Sequence, residues 1–177
     1  MHSMNSVQDL MVQTLGDLHA AERRQLDALP TLIQGARAPE LREALRQHEQ
    51  ETRTHVQRLE QIFQQLGRPL QEVADPVLDA MVRRGTELLA AAAGPEVKEA
   101  ALIAEARKFE HLEIAGYGTA AAIARQVGNA EVAGLLAQTL REEAQSDERL
   151  GRIAEAGGIR SVALQQQQQQ QRQVPTS

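Results

Sequence analysis

Apolar residues recur every three or four positions along four long stretches of the chain, and each stripe is broken near its middle by polar groups. The first runs Leu15, Leu18, Glu22, Leu26, Leu29, and the second Leu41, Leu45, His48, Glu51, His55, Leu59, Ile62, Leu66. A third reads Ile103, Ala106, Glu110, Glu113, Tyr117, Ala120, and a fourth Leu136, Thr139, Glu143, Asp147, Leu150. At about 100° per residue each set lies on one face of its helix. Ionised carboxylates on an interior face cost several kcal/mol each unless a positive charge compensates them. Acidic residues converging from four helices point to a shared cation site.

Helix signals frame these stripes. The first helix is predicted over 5–35, with Asn5 or Ser6 at its cap and Gly35 at its end. Pro30 lies inside this pattern, and a kink or a detached last turn is expected there. Pro39 suits the first turn of the second helix, which stops at Gly67 with Pro69 beyond. Asp75-Pro76 opens a shorter helix, Pro95 opens a long one reaching Val127, and Gly128-Asn129 turns into the last, which ends near Gly157-Gly158. Short loops within each half give antiparallel hairpins. The long connection over 67–95, with its own helix, is the ferritin-like way of joining them. The expectation is all-α: a ferritin-like four-helix bundle with an extra crossover helix between helices two and three. The halves echo each other, since an offset of 91 or 92 takes Glu22 to Glu113, Glu51 to Glu143 and His55 to Asp147.

Residues 1–157 form one domain in this reading. Residues 158–177 are a different material, with an unbroken glutamine run from Gln165 to Gln171, and are expected to be a disordered tail. Aromatic residues are 2% of the chain and cysteine is absent, which favours helix over strand and removes disulfide and thiolate chemistry. A net charge of −5 gives no basic footprint for nucleic acid. No window approaches the roughly 18 apolar residues of a membrane span, and the N-terminus carries no apolar signal segment. A cytoplasmic protein is expected.

Iron and manganese suit carboxylate and imidazole donors. One helix presents two ligands to one ion only at i,i+3 or i,i+4. Glu51 and His55 are four apart, Glu110 and Glu113 three, and Glu143 and Asp147 four, while Glu22 stands alone. The candidate metal ligands are therefore Glu22, Glu51, His55, Glu110, Glu113, Glu143 and Asp147, whose six carboxylates match the charge of two metal ions, iron first and manganese second. The competing reading is that single glutamates pair with arginine. Arg23, Arg53, Lys108 and Arg141 are near in sequence but lie one or two residues off their stripes. His48 shares the Glu51/His55 face, as a ligand, a hydrogen-bonding support or a core histidine. Tyr117 lies one turn from Glu113, to bond a carboxylate or simply to pack. His111 and His19 read as peripheral.

The segments DLHAAERRQL at 17–26, ETRTHVQRLE at 51–60, AALIAEARKFEHLEIAGYGT at 100–119 and TLREEAQSDERL at 139–150 resemble the YciE/YciF family, a bacterial ferritin-like family associated with stress responses. The likeness spans about residues 5–157. It implies a four-helix ferritin-like core, a dimer and a dinuclear metal centre. By analogy with rubrerythrins, Glu22, Glu51, Glu110, Glu113 and Glu143 would occupy ligand positions. Glu-x-x-His is absent from both expected places, Glu51-x-x-x-His55 and Glu143-x-x-x-Asp147 standing instead. Two functions follow. The first is a di-metal, chiefly di-iron, protein handling iron, O2 or H2O2 under stress, as a ferroxidase or a peroxide-reducing oxidoreductase with Glu51 and Glu143 bridging. The second is a non-enzymatic stress or scaffold protein with a structural or degenerate site. The crossover helix, with an apolar row at Val77, Leu78, Met81, Leu88 and Leu89, points to a homodimer.

Overall fold

The computed structural model describes residues 4–70 and 74–158. The expectation of a disordered glutamine tail falls outside these residues. Five α-helices are described: α1 Val7–Gly35, α2 Pro39–Gln65, α3 Pro76–Ala91, α4 Pro95–Gln126 and α5 Ala130–Ile153, the last running into a π-helical turn at Ala154–Gly158. Helices α1 and α2 form one hairpin and α4 and α5 the other, with α3 as the crossover. This is the ferritin-like arrangement.

Local chemistry explains the boundaries. Ser6 caps α1, its Oγ accepting from the Asp9 backbone N–H at 3.1 Å. Asp75 accepts from the Val77 and Leu78 N–H groups at the head of α3, and Asn129 from Val132 at the head of α5. Helix α2 has no cap of its own. The buried Glu99 of α4 reaches across instead, and its Oε1 accepts from the Ala38 N–H at 2.7 Å. Gly128 takes φ +79° in the tight α4–α5 turn, where a side chain would be strained. Pro30 does not break α1, which runs continuously to Gly35. Its ring lies on the exposed face, so only one backbone hydrogen bond is forgone and no packing is disturbed.

Leucine rows fill the bundle in two separate blocks. One holds Met11, Leu15, Leu18, Leu59, Ile62, Tyr117 and Leu136. The other holds Leu29, Leu41, Leu45, Leu102, Ile103 and Leu150. Between Leu18 and Leu29, Leu45 and Leu59, and Leu136 and Leu150, every helix of the bundle turns polar side chains inward. Gly116 brings α4 against α1, for a Cβ there would lie 2.7 Å from Leu18 Cδ2. The crossover helix is only lightly covered: Leu78 and Gly85 are its buried residues, and Val77 is 60% exposed. Among the described residues no helix is long and apolar enough to cross a membrane.

Candidate metal centre

The polar layer between the two leucine blocks is dry. Glu22, His55, Glu110, Glu113 and Glu143 are each 0% exposed, and His48 is 3% exposed. Two groups of possible ligands form within it, Glu22–His55–Glu143 and His48–Glu110–Glu143, each with donor atoms within 4.8 Å of one another. Glu143 belongs to both. His55 Nδ1 lies 2.7 Å from Glu143 Oε1 and 3.3 Å from Glu22 Oε1, and His48 Nε2 lies 3.3 Å from Glu110 Oε1. Glu113 comes from the turn after Glu110, and its Oε2 accepts from Gln25 Nε2 at 3.1 Å.

Neighbouring polar groups fix these side chains. Tyr117 donates to Glu22 Oε1 at 2.5 Å. Gln25 Oε1 accepts from Thr52 at 3.1 Å and lies 2.7 Å from His48 Nε2. Ser146 donates to Glu110 Oε1 at 3.2 Å and lies 3.1 Å from His48 Nδ1. On the outer side His55 Nε2 is 2.9 Å from Glu142 Oε2, which Arg58 also holds at 2.8 Å. Buried oxygens nevertheless remain without a hydrogen bond: Glu22 Oε2, Glu110 Oε2, Glu113 Oε1 and both oxygens of Glu143, whose Oε1 lies 2.7 Å from His55 Nδ1. Buried acceptors are ordinarily paired. An orphaned set of carboxylate oxygens beside two imidazoles is the donor chemistry of Fe, Mn or Zn, so the residues present fit a metal.

Without a metal the electrostatics are strained. Burial raises the pKa of Glu22, and raises Glu110 and Glu113 well above 4.5, with neighbouring carboxylates adding to each. Burial alone would pull His55 down, but its contacts with Glu143 and Glu22 win and push it up to about 10. Burial likewise works against ionised Glu143, yet His55 and His48 hold its pKa below 4.5. Burial and the charge of Glu22 push the Tyr117 phenol well above 10, so it remains a donor.

Of the seven ligands expected from sequence, Glu22, His55, Glu110, Glu113 and Glu143 are brought together. Glu51 is half-buried and accepts from Arg149 at 2.7 Å, its Oε2 lying 3.9 Å from His48 Nδ1. Asp147 accepts from Arg107 at 2.7 Å and lies 3.3 Å from the exposed His111. Neither is among the donor groups gathered around Glu143. The arginines that draw them outward, Arg149 and Arg107, come from α5 and α4 and are not those weighed from sequence. His48 is the residue whose role sequence left open and which the fold carries into the cluster. A single offset of 91 shows why: it takes Glu22 to Glu113, Thr52 to Glu143 and His55 to Ser146. The two expected Glu-x-x-His positions read Thr52-x-x-His55 and Glu143-x-x-Ser146, each keeping one ligand of two. The imidazole missing at Ser146 is supplied across the bundle by His48, one turn before Thr52.

A crossover-linked four-helix bundle with a buried carboxylate–imidazole layer defines a ferritin-like protein carrying a candidate metal centre. The chain belongs to the YciE/YciF family, described as a domain of unknown function (DUF892), whose pattern matches residues 6–164. It is 31% identical over 153 residues to the protein YciF of Escherichia coli K12, covering 86% of this chain and 92% of that one. The crystal structure of the E. coli stress protein YciF superposes with a TM-score of 0.81 at 32% identity, covering 85% of this chain and 96% of that one. The structure of YcfI from Rhodopseudomonas palustris gives 0.81 and 32%, covering 85% and 98%. A Xanthomonas campestris protein at 23% identity, with a TM-score of 0.70 over 92% of this chain and 99% of that one, shares the fold.

Proposed function

We propose that the chain is a di-metal carboxylate protein, with iron as the first expected metal, that handles iron, O2 or H2O2 under stress. The observation that carries this reading is Glu143 shared by two buried triads, since one carboxylate common to two donor sets is what a two-ion centre requires. Glu22 and His55 would hold one ion and His48 and Glu110 the other, with Glu143 between them and Glu113 alongside. A bound pair of iron ions supplies one-electron redox chemistry toward oxygen or peroxide. The chain's own part is to keep the ligands in place. Tyr117, Gln25 and Ser146 hold Glu22, Glu113 and Glu110, and the leucine blocks close both ends. Glu51 and Asp147 serve in this reading as ion pairs that tie α2 to α5 and α5 to α4.

The second reading, a non-enzymatic stress or scaffold protein with a structural or degenerate metal site, draws support from His55. Its imidazolium, set between Glu22 and Glu143, compensates part of the buried charge with no metal at all. Anaerobic Fe(II) titration separates the two. Two ions per chain are expected for the wild type and for D147N, and none for E143Q. Absence of stoichiometric binding by the wild type, or two ions retained by E143Q, refutes the di-metal reading. We further propose a homodimer formed through part of the apolar row of α3, whose Val77 is 60% exposed, or through a face of α1. Light scattering at micromolar concentration is expected to give twice the chain mass, and a strict monomer overturns that assembly.

A further inference from the structure

A cavity of about 320 Å³ lies between α1, α3 and α4, and its deep end is formed by His48 and Glu110. It thus opens on one of the two triads and not on the other. Its walls are apolar, with Leu29 and Leu32 from α1, Met81 and Val82 from α3, and Ala106 and Phe109 from α4. One water takes up about 30 Å³ of liquid, so the space is about ten waters large, far more than O2 or H2O2 needs. It falls at the small end of the roughly 300–1,000 Å³ range of organic-ligand sites.

Its polar groups are unevenly satisfied. At the rim Arg24 is engaged by Asp79, and Glu105 by Lys108 at 2.5 Å. At the floor Glu110 is fully buried and its Oε2 has no hydrogen-bond partner. Glu110 and His48 are polar groups at this end of a largely apolar space. The outer wall is α3, the least covered helix, whose Gly85 lies against Glu105 and leaves the rim free of a side chain there.

We propose that this cavity binds a small organic molecule with an apolar body and a single hydrogen-bonding head, the body lying against Met81, Val82 and Phe109 and the head at Glu110 and His48. The ligand's approach to a metal ion rests on the di-metal reading above, whereas its binding in the cavity does not.

The test uses the full metal-free chain with methionine methyls labelled in 13C and 1-hexanol as the probe. Hexanol is expected to move the Met81 methyl signal saturably and to leave Met11, buried in the far leucine block, unmoved. V82W fills the cavity and T86W, at an exposed rim position, obstructs it, and either is expected to abolish the Met81 response. Should V82W not fold, T86W carries the test. No saturable Met81 shift in the wild type, or a response unchanged in T86W, overturns the proposal. In Co(II)-loaded protein hexanol is expected to shift the visible cobalt bands. Cobalt binding without a Met81 response refutes the cavity alone, and a Met81 response without cobalt binding refutes the metal reading alone.

Discussion

Glu113 offers a sharp test of the electrostatic strain in the metal-free layer. It is 0% exposed, its Oε1 has no hydrogen bond, and burial with the facing Glu22 and Glu143 raises its pKa well above 4.5. A carboxyl protonated in the fold and ionised in the unfolded chain makes stability fall as pH rises, from the unfolded value of 4.5 up through the folded one. Below that window the group costs nothing. Within it each pH unit costs about 1.4 kcal/mol, so holding the proton to pH 7 costs at most about 3.5 kcal/mol. E113Q keeps the shape and removes the titration. Its amide N–H2 lacks an assured partner, which lowers stability by about 1–3 kcal/mol at all pH values. The decisive quantity is therefore the change with pH in the difference between variant and wild type. Urea unfolding of both metal-free proteins at pH 5 and pH 7 is expected to show E113Q gaining about 1–3 kcal/mol on the wild type between those points. Addition of Fe(II) or Co(II) is expected to reverse the order by raising wild-type stability more. A difference that is flat with pH refutes the placement of Glu113 as a protonated buried acid.

Two further perturbations probe the same layer. His55 is held protonated up to about pH 10 by Glu22 and Glu143, and a metal must displace that proton, so Co(II) affinity is expected to rise at least tenfold per pH unit between pH 6 and pH 8, as followed by the visible bands. An affinity independent of pH over that range removes His55 from the ligand set. G116A places a methyl 2.7 Å from Leu18 Cδ2, and overpacking of about 1–3 kcal/mol outweighs the roughly 1 kcal/mol gained in helix propensity. Thermal melting is expected to fall by several degrees, and a melting temperature at or above that of the wild type shows that α1 and α4 are not in close contact at this point.

What the sequence made legible follows from periodicity. Residues that share a face at intervals of three and four must be buried together or not at all, so the polar layer was visible as an interruption common to four stripes. Glu22, Glu110, Glu113 and Glu143 meet because their apolar neighbours on both sides do. The same rule cannot say which of two polar residues on one face turns inward, because that depends on what the neighbouring helices place opposite. Glu51 and Asp147 satisfy the spacing as well as His48 does, but Arg149 and Arg107 stand where they can draw those carboxylates to the rim. An ion pair at a half-exposed rim leaves both charges partly hydrated, whereas a carboxylate in the dry layer forfeits its water, so the arginines decide the rotamer. His48 turns inward for the complementary reason. Gln25 from α1 and Ser146 from α5 meet its two ring nitrogens, and both partners are small or neutral side chains that the stripes read as unremarkable. The signal that could have singled out His48 was the offset of 91, which aligns His55 with Ser146 and leaves one imidazole short. The layer has Ser146 where the repeat would place a second imidazole on α5, and the buried His48 on α2 stands opposite it, so two imidazoles are present, both on α2. Placing both imidazoles on α2 alters the ligand spacing along α2 and α5 without altering the layer they build, and so the fold is readable and the motif is not.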